Sequence, residues 1–131
     1  MPEIKKPRID SGTRIFISPL SVNQAWQGRR FKTKAYDQYI HDVLLQLPKR
    51  EKIMGWVAVE IVFYIKNFGN RDVDNMIKVF LDCLTKKGYF EDDRKVVHIS
   101  AMKVKSKIEG IDCLIRPVNI IKGRVCDILN L

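Results

Sequence analysis

What this chain lacks narrows it first. Among 131 residues there are three cysteines and two histidines. Cys83, Cys113 and Cys126 are an odd set with no close pairing pattern. That argues against a secreted disulfide framework and for a reducing compartment, with the thiols as small core or boundary residues. No His/Cys cluster has the spacing of a zinc site. No apolar run approaches the ~18 residues that would span a bilayer, and no leader-like segment opens the chain. The expectation is a cytoplasmic protein with no membrane partner. Internal repeats and low-complexity stretches are absent too.

Acids are also scarce beside bases. Lys and Arg number 24 against 15 Asp and Glu, a formal charge of +9. So large an excess on so short a chain points to a polyanionic partner. The plainer alternative is a basic protein with no nucleic-acid role. The 46% hydrophobic content suffices for one core, so residues 1–131 read as a single domain. Residues 1–14, with Lys5, Lys6 and Arg8, form a basic arm. Residues 119–131 carry apolar side chains whose packing the sequence leaves open.

The periodicity predicts a fold of class α+β. Arg14–Ile17 reads as a strand stopped by Pro19. Thr33 caps a helix that runs to about Leu47, where Pro48 ends it. Trp56–Ile65, rich in Val and Ile, is the best strand in the chain. From about Val73 the apolar positions Val73, Met76, Ile77, Phe80, Leu81 and Leu84 recur at helical spacing, and Gly88 is the C-cap. Val96–Lys105 is a strand with alternation, and Ile111–Val118 is expected to be its hairpin partner across Glu109–Gly110. The order β-α-β-α-β-β implies a mixed β-sheet with two main helices packed on it.

The acids that exist are concentrated. Arg71-Asp72-Val73-Asp74-Asn75-Met76-Ile77-Lys78 places two carboxylates two residues apart, and Glu91-Asp92-Asp93 follows the helix. Asp72 falls at the N-cap and Asp74 in the first turn, where an anion is favoured. The opposite helix stripe is Asp74, Lys78, Asp82 and Thr85. Each acid by itself reads equally as a site residue or as only a cap or surface charge. If Asp72, Asp74 and Asp93 converge, repulsion costs about 4 kcal/mol per pair near 4 Å at an effective dielectric of about 20. A hard divalent cation with oxygen ligands would offset it, and Mg²⁺ typically takes a few carboxylates, water and substrate phosphate.

These residues resemble a known family. Arg-Asp-Val-Asp-Asn-x-x-Lys at 71–78, Leu-Asp-x-Leu-Thr-Lys-x-Gly at 81–88 and Phe-Glu-Asp-Asp-x-x-Val-Val at 90–97 are similar to the RusA family of Holliday junction resolvases. Those are Mg²⁺-dependent endonucleases of bacteria and their phages. The resemblance is strongest over residues 70–104 and weaker at Pro19-Leu20-Ser21-Val22-Asn23. It implies that Asp72, Asp74 and Asp93 are the metal-binding catalytic aspartates and Lys78 the essential lysine. It also implies a homodimer acting on four-way junction DNA, and it places Asn23 near the active site. Mg²⁺ is the expected cofactor, with Mn²⁺ in its place as the alternative. Two nicks in symmetric strands suit two sites related by a two-fold axis.

Other residues are assigned to DNA from their chemistry. Arg29, Arg30 and Arg71 would bind backbone phosphates. Trp26 beside two arginines either stacks on a base or anchors its loop to the core. Phe68, at the tip of the loop before Asp72, is either a wedge against DNA or a buried anchor. Lys103, Lys105 and Lys107 read as a DNA-facing or simply solvated row. The competing function is a non-catalytic basic module that binds junctions or single strands, its acids serving only as caps.

Overall fold

The computed structural model of the chain describes residues 12–20, 26–27 and 31–128. Its strands are β1 (Thr13–Ile15), β2 (Trp26–Gln27), β3 (Phe31–Lys32), β4 (Val57–Ile65), β5 (Val96–Lys105), β6 (Gly110–Ile121) and β7 (Arg124–Asp127). The helices are α1 (Lys34–Gln46) and α2 (Val73–Lys87). Short 3₁₀ turns at Phe68–Asn70 and Asp93–Lys95 stand at the two ends of α2.

The composition of β4 decides the sheet. Val57, Val59, Ile61, Phe63 and Ile65 are buried, and so is Ala58 on the other face. A strand this apolar belongs in the middle. It is paired with β5 in parallel, from Val57↔Val96 to Ile65↔Lys105. On its other side lies β6, antiparallel, from Val57↔Pro117 to Tyr64↔Gly110. The start of β6 then pairs with β1 and its end with β7. The sheet is mixed and carries two helices, as the periodicity predicts.

One expected pairing is wrong. Ile111–Val118 is not the hairpin partner of Val96–Lys105, because β4 lies between β5 and β6. Strand adjacency depends on which strand must be buried on both sides, and that strand is β4. The true hairpin at this end of the chain is β6–β7, closed at Lys122–Gly123. The small β2–β3 pair is also an addition to the expected order.

The helices form as their caps dictate. Thr33 accepts a hydrogen bond from the Tyr36 amide at 3.1 Å and opens α1, whose Tyr36, Tyr39 and Val43 are buried. In α2 the side chains of Met76, Val79, Phe80, Leu81, Cys83 and Leu84 are buried. Phe80 meets Phe63 of β4 edge-on, ring centroids 6.3 Å apart. Full burial of one such side chain is worth about 1.5–3 kcal/mol. Gly88 ends α2 with φ +87°, a conformation that costs glycine least, and its N–H reaches the Leu84 and Thr85 carbonyls. Burial pushes the Cys83 and Cys113 thiols up to about 12, so both are inert core groups.

Parallel neighbours need a crossover, and α2 supplies the one between β4 and β5. It sets the N-terminus of α2 just beyond the C-terminal end of β4, the end where open α/β units bind ligands. The other face of the sheet holds polar groups. Arg14 pairs with Asp112, which also accepts from the Tyr64 hydroxyl at 2.8 Å. Arg116 joins Glu60 to Asp127.

Candidate active site

The loop from β4 to α2 is fastened at several points. The Lys66 amide donates to Glu109 at 3.0 Å. Burial works to raise the Glu109 carboxyl, but the Lys66 N–H, the Ser18 hydroxyl and the Arg71 charge outweigh it and hold the group below its ordinary value. Arg71 donates from one guanidinium nitrogen to the Pro19 carbonyl at 2.6 Å and to the Ser18 hydroxyl at 3.3 Å. The ammonium of Lys103 donates to the Phe68 carbonyl at 2.7 Å and to the Arg71 carbonyl at 2.8 Å. It also sits 4.6 Å from the centroid of the Phe68 ring, which is 39% exposed.

Asp72 stands at the N-cap with extended backbone angles, yet its side chain makes no capping bond. Among the described residues its side chain meets the Asn75 side-chain amide at 3.5 Å, the outer limit for a hydrogen bond. Asp74 lies exposed in the first turn, and no hydrogen bond or ion pair holds it among the described residues. Among the described residues neither the Asp72 nor the Asp74 carboxylate is committed to capping the helix. Two exposed, uncommitted carboxylates at the positive end of a helix are a hard donor set, and they fit a hard cation.

The second acidic cluster divides its labour. Glu91 pairs with Lys95 at 3.8 Å and accepts from the Gly55 amide. Asp92 caps its 3₁₀ turn through the Arg94 amide at 2.7 Å. Asp93 alone turns to α2. It accepts from the Lys78 ammonium at 2.9 Å and from the Thr85 hydroxyl at 2.9 Å, and Asp82 stands 3.6 Å from the same ammonium. Partial burial would raise the Asp93 carboxyl, but its bonds from Lys78 and Thr85 win and lower it. Asp93 in turn raises Lys78, which is therefore a cation at neutral pH.

The three aspartates singled out from the sequence do not gather in one chain. Asp74 and Thr85, the anchor of Asp93, lie eleven residues apart on α2. At about 1.5 Å of rise per residue that is roughly 16 Å along the axis, while Lys78, the other anchor of Asp93, stands one turn from Asp74, about 6 Å of rise. Among the described residues no three His, Cys, Asp or Glu side chains group as a metal site. The fold thus presents an Asp72/Asp74 pair and, further along the same helix, a Lys78–Asp93–Thr85–Asp82 cluster.

Of the residues assigned to DNA, Phe68 and Arg71 lie on the loop beside Asp72. Asn23, Arg29 and Arg30 lie outside the described residues, and Trp26 is described only as backbone in β2. Sequence reasoning missed Thr85, Asp82, Glu109 and Lys103 as site residues. Thr85 and Asp82 did share the helix stripe of Asp74 and Lys78, which was a usable signal. Glu109 read as a turn residue, and Lys103 read as one lysine of three.

The chain is similar to known proteins. The family model for Endodeoxyribonuclease RusA matches residues 21–116. That span ends inside β6, so the β6–β7 hairpin tip lies beyond it. A curated relative from Aquifex aeolicus (strain VF5), described as crossover junction endodeoxyribonuclease RusA, is 29% identical over 115 residues, covering 81% of this chain and 75% of the relative. With the family model spanning most of the chain and all of the acidic constellation, this protein belongs to the RusA family of endodeoxyribonucleases.

Proposed function

We propose that this protein is a Holliday junction resolvase that nicks paired strands of a four-way junction by metal-assisted phosphodiester hydrolysis. The observation that carries the reading is the uncommitted Asp72/Asp74 pair at the head of α2, in a chain of this family with a charge of +9. Asp72 and Asp74 would hold Mg²⁺, or Mn²⁺ in its place. The chemistry such an ion supplies is a more acidic water and relief of the charge that builds on the phosphate. Lys78 keeps its proton and would bind the scissile phosphate or meet the charge that develops there. Arg71, Arg29, Arg30 and Asn23 would hold the DNA backbone, with Phe68 at the loop tip against the junction.

Asp93 belongs to the same set. Among the described residues of one chain no three His, Cys, Asp or Glu side chains group as a metal site, and the proposed source that brings Asp93 to the Asp72/Asp74 pair is a second copy of the chain. A two-fold dimer gives two such sites, one for each strand to be cut.

The test is complementation. Asp74→Asn and Asp93→Asn are each expected to abolish cleavage while retaining junction binding. Mixed and allowed to exchange subunits, they should recover single nicks, since each heterodimer keeps one site with both halves intact. A mixture as dead as its parents would show that Asp93 acts within its own chain. Loss of junction binding in Asp74→Asn would contradict its assignment to the chemistry.

A further inference from the structure

We propose that Lys103 is a positioning residue for the cleavage site: it locks the peptide plane that aims Asp72. The proposal rests on the reading of Asp72 as a metal-holding carboxylate.

Three alternate lysines of the sequence look alike, but the fold separates them. Lys105 and Lys107 are exposed, whereas Lys103 is half-buried. It lies opposite Phe63 in the parallel β4–β5 register, two residues short of the end of β4. From there its stem reaches up to the loop that leaves β4. Its ammonium has three N–H donors, and two of them meet the Phe68 and Arg71 carbonyls at 2.7 and 2.8 Å. Both bonds are charge-assisted, and the Phe68 ring at 4.6 Å adds a cation–π contact.

The Arg71 carbonyl carries the argument. It belongs to the same planar peptide as the Asp72 amide nitrogen. Holding that oxygen fixes the plane to which the Asp72 Cα is attached, and together with the φ of −85° at this N-cap it sets the direction from which the side chain leaves the backbone. Asp72 has no capping bond of its own to do this. Half-buried, with two of its three donors on loop carbonyls and its ammonium over the Phe68 ring, Lys103 is turned to the loop, whereas the side chain of Lys78 is 61% exposed. This sets Lys103 apart from Lys105 and Lys107, with which the sequence groups it as a DNA-facing or simply solvated row.

The experiment compares Lys103→Met, which keeps the stem and removes the donors, with Lys103→Arg, which can still bridge two carbonyls. Asp72→Asn runs beside them. Cleavage rate at saturating junction, junction affinity across salt concentrations, and hydrogen exchange of the loop amides at 67–72 are measured on each. Misplacement of a reacting group by an ångström costs about a hundredfold in rate. Lys103→Met should therefore lose about that factor in rate, keep its affinity and salt slope, and exchange its loop amides faster while β4 amides stay protected. Lys103→Arg should recover most of the rate and the protection. The proposal is overturned if Lys103→Met keeps its saturated rate but binds more weakly with a salt slope lower by about one, the signature of a phosphate contact. It is equally overturned if loop exchange is unchanged. An Asp72→Asn protein that cleaves normally would refute the underlying reading of Asp72 instead, and the exchange data would still decide whether Lys103 holds the loop.

Discussion

Replacing Lys78 by Met separates stability from chemistry. The Lys78–Asp93 pair is close, 2.9 Å, and bare Coulomb attraction at that distance is about 1.4 kcal/mol in water and about 6 kcal/mol at an effective dielectric of about 20. Exposure decides between these. The lysine side chain is 61% exposed and the aspartate 37%, so solvent screening puts the pair in the class worth about 0–1 kcal/mol. The substitution also spares Asp93 its Thr85 hydrogen bond. Lys78→Met should thus lower the unfolding free energy by at most about 1 kcal/mol. Its effect on cleavage should be far larger, on the order of a hundredfold to a thousandfold, as for loss of one group that meets transition-state charge. Urea unfolding and junction cleavage on the same preparation give both numbers. A loss of stability beyond about 2 kcal/mol with cleavage in proportion to the folded fraction would make Lys78 a structural residue and refute the reasoning.

Three further outcomes follow from the geometry. The Asp93 carboxyl should titrate below the ordinary aspartate value of about 3.9 in carboxyl NMR. Because its folded value is depressed, the stability it contributes is present above that pH and is lost as pH falls through the folded value. Thr85→Val should move its midpoint up, and an unchanged midpoint would contradict the Thr85 bond. Gly110→Ala should destabilise by about 1–3 kcal/mol in thermal unfolding, since a Cβ there would stand 2.7 Å from the Ile15 carbonyl oxygen across the β1–β6 seam. Junction affinity should fall steeply with salt, nearly one unit of log–log slope per neutralised phosphate, and a flat response would mean that the charge of +9 does not serve DNA.

Local features were legible in the sequence and long-range ones were not. Val96–Lys105 is found as expected, and α2 runs from Val73 to a Gly88 cap, because alternation, helical period and caps are encoded in neighbours. The pairing of β5 was missed because adjacency depends on which of several strands is buried on both faces, a property of the whole sheet. Asp72 stands at the N-cap as the sequence predicts, but only the fold shows that its side-chain oxygens do not cap. Asp93 was separated from Glu91 and Asp92 by a turn that points one acid of three at α2, which no spacing rule gives. Lys103 shares its local pattern with Lys105; its register opposite Phe63 is what brings it to the Asp72 loop.

The most direct measurement is cleavage of a synthetic four-way junction against a linear duplex of the same sequence, with Mg²⁺ and with chelator, using Asp74→Asn as control. The expected result is paired symmetric nicks in the junction alone, abolished by chelator and by the substitution. Tight junction binding with no nicks under any divalent metal would contradict it, and would leave the acids of α2 without a chemical role.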